Sequence, residues 1–419
     1  MKKYIEIYEY YRRLITNGQM KYGDKMPSIR SATTIFSVSK TTIENAYFEL
    51  QADGYIISSP KSGYYVSNYT PIEATQSNAD PDAQHILYDL KSGGADKNSF
   101  DISLWQRYIK SALRQQDRLL SYSDNQGEAD LREALAKYIR EKRNVTASPD
   151  RIVVGAGVQN LLGILCSLID DRDTVSFPDK SFVQGISVFK DYGFTVKTRD
   201  KNAKIIYVSP SHMTSYGDVM KTKRRLELVK HSEINHSLVI EDDYDNDFLY
   251  QSKPTPSLFA LSGGGNVVYM GSFSNVLIPG IRISFMVLTK ELAEKYKKNI
   301  DKYAQAASKT EQIALCQYIR DGHINTQTRK IRRLYTAKTK QFYDEINRQM
   351  KNVNCKISDN GLQIKIEVPP FDTTRLTDNG IAVNIKEVTQ DYAKLVIVPS
   401  AIDSSDIPHI VSLLKKSIG

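Results

Sequence analysis

The sequence predicts an α/β chain in which a small helical N-terminal domain precedes a larger domain of alternating strands and helices. Three observations carry this. Apolar residues in the first fifty positions recur at helical spacing, whereas from about Ile86 onward short runs rich in Val and Ile alternate with helical ones. Between the two lies a polar stretch, Ser67 to Gln84, with Pro, Asn, Asp and Ser and almost no large apolar residue, which reads as a linker. At 419 residues the chain is also too long for one ordinary core, while 41% hydrophobic and 25% charged residues are the proportions of a soluble globular protein.

The N-terminal elements follow in order. Ile7, Tyr11, Leu14 and Ile15 define one helix face, and Gly18 suits its end. Pro27-Ser28 is a helix-start signal for a short helix to about Phe36. Ser39 caps a second helix whose apolar face is Ile43, Ala46, Tyr47 and Leu50. Two short helices and a tight turn make a helix-turn-helix, and the residues just after Ser39 stand at the start of the reading helix. "YIISSPKSGYYV" then holds two β-rich runs around Pro60-Lys-Ser-Gly63, a hairpin signal, which completes a winged helix.

In the larger region the strand-like runs are "RIVVGAG", "DTVSFP", "AKIIYVSP", "SLVIEDDY", "NVVYMGSFS" and "RISFMVL". Helical segments such as "EADLREALAKYIREKR" and "KRRLELVKHSEI" lie between several of them. Functional loops are expected at the C-terminal ends of such strands. In "EDDYDNDF", the spacing of Asp243, Asp245 and Asp247 is that of a calcium loop, but Phe248 stands where Gly is required and Pro254 at the twelfth position. A solvated acidic loop is one reading open to those three carboxylates.

Composition excludes several classes. No apolar run approaches the ~20 residues needed to span a bilayer, and "MKKYIEIYEYYRR" lacks the apolar core of a signal peptide. Cys166, Cys316 and Cys355 are far apart and odd in number, which fits a reducing cytoplasm, and no Cys/His cluster has zinc spacing. A net charge of +9 favours a polyanionic partner but is thin over this length. Residues 1–68 hold six Lys and three Arg against four Glu and two Asp, a net of +3.

"MPSIR…VSKTTIENAYFELQADGYI…SGYYV" is similar along nearly its whole length to the winged helix of the GntR family of bacterial repressors. The resemblance implies DNA binding, with Arg30, Ser39, Lys40, Thr41 and Thr42 at positions that face DNA. Lys61, in the wing, is a phosphate candidate from charge and place alone. The departures are Ala32-Thr33, where the family prefers Leu-Ala, and Ser37, where it prefers Gly.

Further along, "KSGGADKNSFDISLWQR", "YSDNQGEADLREALAKYI", "VVGAGVQNLLGIL", "YVSPSHMTSYGDVM", "IEDDYDNDF", "YMGSFSNVLIPGIRISF" and "RDGHINTQTRKIRRLY" resemble successive landmarks of fold-type-I aminotransferases. With the winged helix ahead of them, they resemble the MocR-type (GabR-like) subfamily of GntR regulators. The layout so implied is a winged helix over 1–68, a linker over 69–85 and an aminotransferase-like domain over 86–419, whose smaller subdomain begins at about 300. Partners implied are a double-stranded DNA operator, a small-molecule effector and a second copy of the chain, with no membrane.

The resemblance also assigns a pyridoxal phosphate pocket. Asp242 matches the aspartate that pairs with the pyridine nitrogen, and Tyr244 the tyrosine that bonds the ring hydroxyl. Ser272, Ser274 and Arg282 match the phosphate cup, together with the backbone around Val158 and Gln159 at a helix start. Phe182 takes the place of the aromatic that stacks on the ring. Asn275 stands where the family has the lysine that holds the cofactor as a Schiff base, and an amide nitrogen is neither nucleophilic nor titratable near neutral pH. An introduced change and natural drift both explain one such residue. Five further departures favour drift: Val158 for a serine, Met213 and Ser215 for glutamine and proline, Phe182 for tyrosine, and Lys394 where an arginine holds the substrate carboxylate. The expectation is a regulator that holds a small anion, pyridoxal phosphate or its amino acid adduct, without a covalent bond. A dimerisation scaffold and a fused enzyme are the rival readings.

Overall fold

The computed structural model describes residues 3–60, 62–68, 86–91, 94–244, 256–351 and 353–419. The chain divides into two compact units, Met1–Ala83 and Gln84–Gly419.

The first unit is a winged helix. Helices α1 (Lys3–Thr16), α2 (Ile29–Phe36) and α3 (Lys40–Ala52) precede the antiparallel strands β1 (Ile56–Ser59) and β2 (Gly63–Val66). Both cap serines act as the sequence predicts: Ser28 Oγ accepts from Ser31 N at 3.1 Å, and Ser39 Oγ from Thr42 N at 3.3 Å. Ile43, Ala46, Tyr47 and Leu50 are fully buried against Ile7, Tyr11 and Ile15. The Tyr47 hydroxyl donates to Pro27 O at 2.9 Å and ties the reading helix to the entry of α2.

Ser37 explains the family's preference for Gly at its position. It ends α2 in the left-handed region (φ 52°, ψ 46°), where a Cβ crowds the backbone. Ser37→Gly is therefore expected to raise the stability of this unit by about 0.5–1 kcal/mol in urea unfolding. A neutral or lower stability contradicts the strain.

In the second unit, β3 (Tyr88–Asp89) leads into a sheet of seven strands: β4 (Ile152–Gly155), β5 (Thr174–Phe177), β6 (Thr195–Thr198), β7 (Ile205–Val208), β8 (Leu238–Asp242), β9 (Val267–Ser272) and β10 (Ser284–Val287). Their order is β4-β10-β9-β8-β7-β5-β6, with β10 antiparallel to both neighbours and the other pairings parallel. The central strands are buried on both faces, as a parallel sheet covered by helices requires. The sequence runs named six of these strands; β6 escaped, because "TVKT" is short and mostly exposed at the sheet edge. Beyond them, β11 (Asn354–Ile357), β12 (Ile364–Val368), β13 (Ile381–Ala382), β14 (Asn384–Val388) and β15 (Ala393–Ile397) follow. Four of these form a second, antiparallel sheet in the order β11-β12-β15-β14, while β13 pairs with β3.

The smaller subdomain does not begin near 300. Helix Lys309–Arg320 belongs to the large core through Ala314, Leu315, Cys316, Tyr318 and Ile319, packed with Phe100 and Trp105. The change of core falls inside the long helix His323–Gln349, whose Ile331 and Tyr335 join the large core and whose Phe342 and Ile346 join the small one. Leu90, from far upstream, packs in the small core as well.

Asp243 is not part of a solvated loop. Its carboxylate accepts from Arg143 Nε at 2.6 Å and from the Tyr269 hydroxyl at 2.9 Å, and both side chains of the ion pair are buried. Burial works against the charge on Arg143, and Asp243 more than restores it, so its pKa lies above the ordinary value. Glu241, also buried, accepts from the N–H groups of Leu258 and Phe259 at the start of helix Leu258–Leu261. Burial, reinforced by Asp243, pushes its pKa up to about 7. Asp245, Asp247, Phe248 and Pro254 lie outside the described residues, among which no group of acidic, His or Cys side chains could hold a metal. Among the same residues no helix is long and apolar enough to cross a membrane.

Candidate functional sites

Two surfaces hold the residues singled out above. On the winged helix, Arg30 is exposed on the first turn of α2, and Ser39, Lys40 and Thr41 are exposed at the start of α3. Thr42 is half-buried, with its hydroxyl 2.8 Å from Ser39 Oγ, so it serves the cap as well. Lys40 Nζ lies 3.3 Å from Glu44, an exposed pair of little energetic weight that a phosphate can displace. Lys61 lies outside the described residues.

In the larger unit a cavity of about 510 Å³ opens where β5, β7, β8 and β9 end, a volume suited to a small molecule. Asp242, at the end of β8, lines it, and period-two alternation sends its neighbours Glu241 and Asp243 to the other side. The Tyr207 hydroxyl donates to Asp242 Oδ2, and Ser209 Oγ donates to the Asp242 carbonyl at 2.7 Å. Burial and the Asp242 charge raise the Tyr207 pKa, so the phenol stays protonated and remains a donor. Tyr244 lines the cavity with its ring 5.5 Å from that of His212. Phe182 lines it too, 5.5 Å from the Tyr207 ring.

The loop after β9 is pinned by Phe273, Val276 and Leu277, each almost fully buried. That anchoring leaves Ser272, Ser274 and Asn275 on the cavity wall, with Ser272 Oγ 3.2 Å from Ser274 Oγ. Val158 lines the same wall at the start of helix Val158–Leu168. Gln159 does not: it is exposed on the first turn and absent from the lining. Arg282 is not part of the lining either, but its guanidinium lies over Gly157, where an added Cβ would meet Nη2 at 2.4 Å. Gly157 has φ +91°, so its lack of a side chain serves both the turn and this close approach.

The residues present fit a phosphorylated pyridine: two hydroxyls and a helix start line one part of the cavity, a guanidinium lies over the bare Gly157 at that helix start, and a buried carboxylate and a phenol line the cavity as well. No amine occupies position 275.

One assignment is overturned. Lys394 does not line the cavity; it sits on β15 and bonds Glu387 on neighbouring β14 at 2.8 Å, opposite in facing to buried Ala393 and Leu395. The cations that do line it are Lys91 and Lys386, with Gln363 and Asn384 beside them. Tyr207, His212, Lys386 and Gln363 were missed by sequence reading; Tyr207 and His212, the two ends of "YVSPSH" at the close of β7, carried a local signal, and the other two did not.

The fold and cavity define a winged helix joined to a fold-type-I aminotransferase-like domain. Residues 3–66 match the bacterial regulatory proteins of the gntR family, and residues 89–383 match aminotransferase class I and II. The chain is 30% identical over 411 residues to the uncharacterized HTH-type transcriptional regulator YdeL of Bacillus subtilis, covering 91% of this chain and 88% of that one. It is 27% identical to the probable rhizopine catabolism regulatory protein MocR of Rhizobium meliloti, over 86% of this chain and 80% of the relative. It is 26% identical to the HTH-type pyridoxine biosynthesis transcriptional regulator PdxR of Corynebacterium glutamicum, over 83% and 81%. Among solved structures it is similar to an archaeal alanine:glyoxylate aminotransferase (TM-score 0.70, 20% identity, 79% of this chain and 90% of the other). A kynurenine aminotransferase of Pyrococcus horikoshii is also similar (TM-score 0.68, 20% identity, 80% and 91%). The chain belongs to the MocR-type branch of the GntR transcriptional regulators.

Proposed function

We propose that this DNA-binding regulator senses a small anionic ligand, pyridoxal phosphate or a relative of it, in the cavity of its larger unit and holds it without a covalent bond. The observation that carries the reading is Asn275 on the wall shared by Asp242, Tyr244, Ser272 and Ser274. Those neighbours supply a partner for a ring nitrogen, a donor for a ring hydroxyl and donors for a phosphate. Asn275 supplies no amine, so neither covalent attachment nor the proton shuttle of a transaminase is open to it. When bound, pyridoxal phosphate would supply an aromatic electron sink and an aldehyde. Asp242 would hold the proton on the ring nitrogen, and Ser272, Ser274 and Arg282 would hold the phosphate. We assign no enzymatic activity to the chain. That a relative is named for the regulation of pyridoxine biosynthesis supports this class of ligand.

The chain would act as a homodimer joined through the larger unit, as the aminotransferase-like fold implies. Ligand would change DNA binding only by its different affinity for two arrangements of the dimer. Equilibrium dialysis tests the sensing claim: pyridoxal phosphate should bind once per chain and dialyse away completely. Absence of binding at millimolar concentration would leave the larger unit as a dimerisation scaffold.

A further inference from the structure

We propose that the larger unit holds a second ligand site, which takes a small amphipathic anion: an apolar body carrying one carboxylate or sulfonate. The site is a cavity of about 630 Å³ between the seven-stranded sheet and helix Thr222–Ile234, on the face of the sheet opposite the Asp242 cavity. It goes beyond the ligand-sensing reading above and does not depend on it.

Strand alternation separates the two cavities. On β5 and β7, the side chains of Val175, Phe177, Ile205 and Tyr207 pack into one core, and those of Ile206 and Val208 into the other. Ser176, between Val175 and Phe177, pairs with Ile206 across the ladder and shares its face. Ser176, Ile206 and Val208 floor the second cavity, and Met220 and Leu228 wall it. All five are between 5% and 8% exposed, so the space is lined by buried, mainly apolar side chains. A serine beside isoleucine on the floor leaves room that a larger side chain would fill. Cavities of this size and lining suit small organic ligands.

The polar lining sets the charge of the guest. Arg199 and Lys201, on the turn after β6, are exposed at the rim, and neither has an ion-pair partner among the described residues. The rim carboxylates are already engaged, Asp200 by Lys197 and Glu227 by Arg224, each at 3.2 Å. Arg199 Nε donates to Pro178 O at 3.0 Å, which fixes the base of the guanidinium and leaves its terminal nitrogens open. On the floor, Ser176 Oγ accepts from the Asp200 N–H at 2.9 Å, so the cationic turn lies against it, while its own O–H has no acceptor among the described residues. A buried donor without an acceptor is costly, and two neighbouring cations favour an anionic oxygen in that place. A bare inorganic anion would leave the apolar walls without a partner. A neutral apolar guest would leave the hydroxyl and both cations without one. An amphipathic anion satisfies both sets.

The test is fluorescence titration of the full chain with two probes: 8-anilinonaphthalene-1-sulfonate, and N-phenyl-1-naphthylamine, which has the same rings without the sulfonate. The wild-type chain should bind the sulfonate saturably, once per chain at this site. Arg199→Gln together with Lys201→Gln should weaken the sulfonate about fivefold, the worth of two solvent-screened ion contacts. The same variant should keep the neutral probe within about twofold, which shows that the cavity persists. Arg199→Lys with Lys201→Arg, which preserves both charges, should bind the sulfonate as the wild type does. No saturable sulfonate binding by the wild type, an unchanged sulfonate affinity in the glutamine variant, or a parallel loss of both probes there would overturn the site. None of these changes touches Asp242, Ser272, Ser274 or Asn275, so the sensing reading would stand in each case.

Discussion

Asp243→Ala should destabilise the larger unit by about 3–5 kcal/mol, the usual effect of removing one partner from a buried ion pair. The carboxylate bonds Arg143 through two nitrogens, at 2.6 and 3.3 Å, and takes the Tyr269 hydroxyl as well. Its loss takes the carboxylate away from a guanidinium whose side chain is 5% exposed. The single tryptophan, Trp105, is buried in the core of that unit, so its fluorescence in a urea titration reports the change without interference from the winged helix. Replacing both partners with apolar residues should cost much less than the single change. An Asp243→Ala midpoint equal to that of the wild type would show that the pair carries no structural weight.

Arg30→Ala and Lys40→Ala are each expected to weaken DNA binding by about 1–3 kcal/mol, and the two effects should differ in kind. Both side chains are exposed at the N-terminal turns of α2 and α3, the ends that approach a duplex in a helix-turn-helix. The residue that contacts a phosphate should lower the log–log salt slope by about one when removed, with sequence preference unchanged. The residue that reads a base should keep the slope and relax the preference at one position. Anisotropy titrations against a site selected from random DNA, at several salt concentrations, separate these. Two variants with wild-type affinity and slope would move the DNA surface off these helix starts.

The sequence disclosed most where the physics is local. Ser28 and Ser39 announced two helix starts because a cap needs only a hydroxyl and the next three residues. The face of Ile43, Ala46, Tyr47 and Leu50 followed from helical period alone. In the cavity, Asp242, Tyr244, Ser272, Ser274, Asn275, Val158 and Phe182 all came to the wall, since each rides on a strand end or helix start that a motif marks. What stayed hidden depends on distant chain segments. Lys386 and Gln363 reach the cavity from more than a hundred residues beyond Asp242, on a second sheet whose docking no local pattern reveals. Lys394 failed for a sharper reason. On a strand a slip of one residue exchanges the two faces, and Lys394 fell on the face that pairs with Glu387. Asp243 read as solvated because its partner Arg143 is a hundred residues away.

The absence of a covalent bond at residue 275 is the point on which the regulator reading turns. Its most direct measurement is borohydride reduction of the chain after incubation with one equivalent of pyridoxal phosphate, followed by mass mapping of the peptide spanning Gly271–Arg282. The wild-type peptide should be unmodified, while Asn275→Lys should carry a phosphopyridoxyl group at that position in most molecules. A cavity intact except for the amine predicts that pair of results. Steady conversion of an amino acid to its keto acid by the wild-type chain, or a stoichiometric label on a lysine of the cavity wall, would contradict it.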